Sequence, residues 1–253
     1  MIPQLRGWTA VQRTPANNVR LGVTLSFVAG ATNAGGFLAV GQYTSHMTGV
    51  LSSVADSLVL GQATLALAGL AALLAFTFGA MTTAWMVNWG LRRQLQSAYG
   101  RPLLLEAALL LVFGLFGTGI DFFAPLFVPL TVLVLCFIMG LQNAVITKIS
   151  HSEIRTTHIT GLLTDLGIEL GKLFYINRLT RQPLVEGNRR KIRLHLSLIT
   201  SFFVGGVMGA LGFKHIGFIS TLPLAVLLFL LVWRPVLNDA RHWIDPQRQD
   251  ADD

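Results

Sequence analysis

The sequence predicts an all-α polytopic membrane protein: six transmembrane helices as two inverted three-helix repeats, with a short broken or re-entrant helix in each. Three observations carry that expectation. The 253-residue chain is 53% hydrophobic and only 12% charged, with a mean hydropathy of +0.61, whereas soluble domains carry about 25% charged residues. Its basic residues gather at the ends of apolar runs. A polar string, T-x-H-x-T-G, occurs twice, at 44–49 and 156–161.

The elements follow in order. Residues 1–20, "MIPQLRGWTAVQRTPANNVR", are polar, hold two prolines and lack the apolar stretch of a cleavable signal. They read as a cytoplasmic segment ahead of an uncleaved signal anchor. A crossing helix needs roughly 20 mainly apolar residues, and six segments qualify: 21–40, 63–89, 103–120, 128–147, 194–213 and 216–233. Trp85 and Trp89 close the second and Trp233 the sixth, as interfacial anchors do. The first repeat is 21–120 and the second 121–233. Residues 234–253 mix charges without a long apolar run and read as a cytoplasmic, partly disordered tail.

With six spans, the N-terminus, the second and fourth connections and the tail share one side. Together they hold every Lys and Arg except Lys214. The positive-inside rule makes that side, and both termini, cytoplasmic. The formal charge of +7 does not point to nucleic acid, because the basic residues form no single stripe for phosphates. Partners expected are the lipid bilayer and a small-molecule or ion substrate, with a homo-oligomer left open. Cys136, the lone cysteine, allows no intrachain disulfide and reads as a small core hydrophobe.

The string extends into a longer internal match. "GATNA" (30–34) pairs with "GLQNA" (140–144) at Gly, Asn and Ala. "TSHMTGVL" (44–51) pairs with "TTHITGLL" (156–163) at Thr44/Thr156, His46/His158, Thr48/Thr160, Gly49/Gly161 and Leu51/Leu163. Each copy keeps the order of apolar span, Gly and Asn, motif, short helix and two further spans. Three spans per copy is odd, so the second copy enters the membrane inverted, as in many secondary transporters.

A first span ending in "GATNAGGF", followed by "SHMTG" and a short helix, resembles the YoaK-like family of six-span bacterial membrane proteins. The resemblance covers roughly residues 20–235. It implies a six-helix fold in the bacterial inner membrane. That family is grouped as a domain of unknown function, so the resemblance implies no settled substrate and no catalytic residue. The second copy departs from the pattern by lacking counterparts of Gly35 and Gly36.

The polar positions are the candidate site. Residues 41–62 are too long for a tight hairpin and too apolar for a solvated loop. Val50–Leu60 reads as a helix of about three turns, too short to cross, whose start Thr44 or Thr48 can cap. Two placements stay open: a half-helix beginning within the membrane, or a helix lying on its surface. The histidine side chain in general titrates near neutral pH, so His46 and His158 are candidates to carry a coupling proton or bind a polar substrate. A capping or interhelical hydrogen bond is the alternative. Asn33 and Asn143 occupy equivalent places in their spans, and their amides must face protein, water or ligand. Thr44, Thr48, Thr156 and Thr160 complete the repeated set. Asp165 and Glu169 share one face, with Lys172 just beyond, which is an ion path or a solvated side.

No metal or cofactor is expected, because the carboxylates do not follow the two histidines at matching spacings. Gly30, Gly35, Gly36, Gly49, Gly140 and Gly161 are candidate helix breaks, with close packing as the alternative. Gly205, Gly209 and the series Ala75, Gly79, Thr83 read as packing positions. Glu106 and Asp121, near opposite ends of the third span, are expected at the interfaces without a role.

The functional expectation is a secondary transporter or channel for a small solute or ion, with a site near the midplane between the repeats. Half-helix N-termini favour an anion. A membrane-embedded metal-assisted hydrolase is an alternative, with no H-E-x-x-H, G-x-S-x-G or C-x-x-C string behind it. A scaffold or sensor without flux is the other.

Overall fold

Helix placement follows the apolar runs, while capping chemistry sets the ends. The computed structural model describes residues 8–11, 13–116, 124–177 and 183–244. Among the described residues the chain forms eight α-helices and no strand: α1 (Pro15–Val40), α2 (Met47–Val59), α3 (Ala63–Arg92), α4 (Gly100–Phe116), α5 (Ala124–Ile149), α6 (Ile159–Leu173), α7 (Arg189–Ile216) and α8 (Leu222–Ile244). A short 3-10 helix (Gly217–Thr221) joins the last two.

α1 begins ahead of its apolar run because Thr14, in extended backbone, accepts from the Asn17 N–H and Pro15 takes the first helical position. It ends at Gly41, whose φ of 73° is the left-handed conformation that glycine adopts without strain. α7 likewise starts early, at Arg189, where the Asn188 side chain accepts from the Arg190 and Lys191 N–H groups.

The tail differs from expectation. α8 runs through Pro235 to Ile244 because Asp239 ties it down: its carboxylate accepts from the N–H groups of Gln96 and Ser97 and from the Ser97 hydroxyl. Residues 245–253 and Asp121 lie outside the described residues.

Among the described residues, four helical stretches are long and apolar enough to cross a membrane: Pro15–Val40, Ala63–Arg92, Val128–Ile149 and the 51-residue run Arg189–Asp239. That last run holds both α7 and α8. Its chain doubles back at Gly217, where Ser220 packs against Gly212. Along α3, Leu67, Leu74, Phe78, Met81 and Trp85 all face outward. Such a continuous apolar face is unfavourable in water and suits lipid, as in a multi-pass membrane protein.

α1 and α5 are the inner helices. Half of the α1 apolar window and 56% of that of α5 are buried, against 22% for α3. Leu25 stands beside Gln142, Gly22 beside Ile146, and Gly36 beside Leu135, so α1 and α5 run antiparallel. α7 lies parallel to α1 and α3 lies parallel to α5. Both outer pairs close to backbone contact through glycine. A methyl group on Gly30 would overlap the Phe202 carbonyl, and one on Gly205 the Phe27 carbonyl. In the other pair Gly140 meets the Phe76 carbonyl and Gly79 the Phe137 carbonyl. Thr83 donates to the Leu141 carbonyl and Ser201 to that of Val23 across the same seams. The small residues of α3 and α7 are thus packing positions. α4 and α8 pack antiparallel, with the Thr221 hydroxyl on the Leu110 carbonyl.

Candidate functional site

The two T-x-H-x-T-G segments leave the ends of α1 and α5 and fold back along them. Asn33 Oδ1 accepts from the Ser45 N–H at 3.1 Å and its hydroxyl at 2.9 Å. In the second copy Asn143 Oδ1 accepts from the Thr157 hydroxyl at 2.7 Å. Each asparagine pins its own connection to the helix before it. On the far side of the seam, Ser26 of α1 donates to the Thr156 carbonyl. Seven residues separate Ser26 from Asn33, about 10 Å along a helix axis. Both connections therefore reach α1 well inside its ends.

His46 and His158 stand at the N-cap positions of α2 and α6, and neither side chain caps its helix. The threonines do not cap either: Thr44 and Thr156 are fully buried with unpartnered hydroxyls, while Thr48 and Thr160 are exposed. Each imidazole instead lies over the first helical turn. A Cβ on Gly49 would overlap the His46 ring, and one on Gly161 the His158 ring. That contact explains the glycine three residues after each histidine. Arg155 Nη1 lies 3.1 Å from His158 Nδ1, and a guanidinium only donates, so Nδ1 accepts and the ring N–H is at Nε2. The matching place in the first copy holds Tyr43, stacked on Phe37.

The six glycines proposed as breaks all lie within helices. Gly30, Gly35 and Gly36 sit inside an unbroken α1, Gly140 inside α5, and Gly49 and Gly161 in the first turns of α2 and α6. Close approach uses the missing side chain: the Phe213 ring covers Gly35, and Leu135 with Thr44 covers Gly36.

Four buried oxygens in these elements have no hydrogen-bond partner: Thr44 Oγ1, Thr156 Oγ1, Thr32 Oγ1 and Gln142 Oε1. They fall into two repeat-equivalent pairs, Thr44 with Thr156 and Thr32 with Gln142. Gln142 spends its amide on the Leu25 carbonyl across the α1–α5 seam, which leaves Oε1 free to accept. An unpaired buried polar group costs about 1–3 kcal/mol, and these four fall at matched places in the two copies. Thr32 and Gln142 were missed as candidates because their identities differ, although both directly precede the repeated asparagine.

Asp165 and Glu169 part company. Asp165 is exposed, whereas Glu169 is buried and links α6 to α7. Its carboxylate accepts from the Asn188 N–H at 2.8 Å and pairs with Lys172 at 2.9 Å. The Asn188 bond first and the Lys172 bond second hold its pKa below the ordinary value, against the effect of burial. A depressed folded-state pKa contributes stability above the ordinary carboxylate range that is lost as pH falls through it. Glu169→Gln is expected to shrink the drop in melting temperature between neutral pH and roughly pH 4, read by a thermal melt at both values. Glu106, near the start of α4, is fully buried.

Among the described residues, no group of three or more His, Cys, Asp or Glu side chains could hold a metal ion. Comparison with known proteins gives one finding: a family model described as a protein of unknown function (DUF1275) matches residues 21–233. No curated protein and no solved structure matches.

Proposed function

Because the chain belongs to the DUF1275 family, whose function is unknown, we propose a role from the geometry: a secondary transporter or channel of the bacterial inner membrane. It passes a small polar solute or ion along the seam between α1 and α5. In this reading six helices cross the bilayer, both termini are cytoplasmic, and the two halves are inverted repeats. The antiparallel course of α1 against α5, and of α3 against α7, supports the inversion. So do the matching asparagine pins and glycine contacts.

One observation carries the functional reading: the repeat-matched, unpartnered buried oxygens of Thr44 with Thr156 and of Thr32 with Gln142. Hydroxyls both donate and accept, while the Gln142 carboxamide oxygen only accepts. The matched solute offers both a donor and an acceptor. Irregular backbone at such depth persists where protein buries it or water lines it, which fits the two folded-back connections as re-entrant segments. His46 and His158, exposed at the mouths of the two half-sites, supply the coupling proton.

The test is the melting temperature of the purified protein against ammonium, inorganic anions, carboxylic acids, amides and polyols, at two pH values. A ligand at a hundred times its dissociation constant adds about 2.7 kcal/mol. At least one class is expected to raise the melting temperature with a pH-dependent size. A flat response across all classes contradicts a solute site and favours a scaffold.

A further inference from the structure

We propose that Glu106 carries an exchangeable proton in the core of the protein: it is the neutral acid in this conformation and ionises when the packing around α4 opens to water. The site is distinct from that proposed along the α1–α5 seam, and it rests on the transport reading only for what its proton would drive.

Glu106 sits in the buried stripe of α4, flanked by Leu103, Ala107 and Leu110, each no more than 4% exposed. Neither carboxyl oxygen has a hydrogen-bond partner. The elements packed on α4 bring few ionisable groups among the described residues. α5 has Cys136 and Lys148, α8 has Arg234, Asp239, Arg241 and His242, α3 has Arg92, and the 3-10 helix has none. Lys148 donates to Asn88 and Asp239 accepts from Ser97, while Arg101 of α4 itself reaches Ser97 and the Trp89 ring. None bonds to Glu106.

An ionised carboxylate buried without a partner is far costlier than a neutral one. Even the neutral acid forgoes the hydrogen bonds that water would give it. When the prolines near the starts of α4 and α8, Pro102 and Pro223, are aligned, Leu227 takes the corresponding place, partly exposed where Glu106 is fully buried. Ionisable groups inside membrane segments that face protein mark proton and ion paths.

Infrared spectroscopy of the purified protein in lipid nanodiscs at neutral pH tests this without any solute. The difference between wild type and Glu106→Gln is expected to contain the C=O stretch of a protonated carboxylic acid, and that band is expected to shift after transfer to D2O. Carboxylate bands in its place, or an acid band that never shifts, overturn the proposal. Glu106→Leu serves as a second reference and is expected to raise the melting temperature; a fall would mean that the carboxyl makes a stabilising bond, which removes the premise. Since no solute is used, failure here and failure of the α1–α5 solute site are read separately.

Discussion

Replacing Gly30 or Gly140 with alanine is expected to destabilise the protein more than any other single methyl addition. The added carbon would meet a backbone carbonyl of the facing helix, Phe202 for Gly30 and Phe76 for Gly140. A flexible side chain could swing away, but a carbonyl fixed in its own helix cannot. Overpacking in cores costs about 1–3 kcal/mol, and a clash of backbone against backbone belongs at or above the top of that range. Gly167 and Gly171 in α6 are the controls, because a Cβ there meets nothing within 4 Å. Alanine at either is expected to stabilise by about 0.5–1 kcal/mol through helix propensity. Thermal melts in one detergent compare the four variants; equal effects at Gly30 and Gly167 would mean that α1 and α7 do not touch through backbone.

The largest expected effect on function comes from Thr44→Val combined with Thr156→Val. Valine keeps the shape of threonine and removes a hydroxyl that bonds to nothing in the protein. Stability is expected to hold or rise, since each unpaired buried hydroxyl costs about 1–3 kcal/mol, while stabilisation by any solute that raises the wild-type melting temperature disappears. Loss of stability with the solute response intact would make the hydroxyls structural and move the site elsewhere.

The long helices were legible because their signal is composition: apolar runs of spanning length need no knowledge of the partner. The matching motif was legible because identical residues recur in the same order. What stayed hidden depends on who packs against whom. A glycine in an apolar run looks alike whether it breaks a helix or admits a neighbouring backbone, and only the facing Phe202 carbonyl decides the matter for Gly30. Thr32 and Gln142 align one place before the repeated asparagine but differ in identity, and what marks them out, a buried oxygen without a partner, shows only in the packed helices. Glu106 lies near the start of its apolar run, and its full burial follows from the helices packed on α4, which letters alone do not reveal. Pro235 and the charges after it suggest an end to structure, yet Asp239 finds the α3–α4 turn. The histidines recur in the sequence, but their rings rest on Gly49 and Gly161 and do not cap the helices.

The inverted arrangement of the two halves is tested most directly by thiol labelling. Cys136 is buried, so a Cys136→Ala background carrying either His46→Cys or His158→Cys presents one exposed thiol. A membrane-impermeant maleimide is applied to intact cells and to inside-out vesicles. Position 46 is expected to label only in intact cells and position 158 only in inverted vesicles. Labelling of both from the same side would contradict inverted repeats, and with them the solute path between α1 and α5.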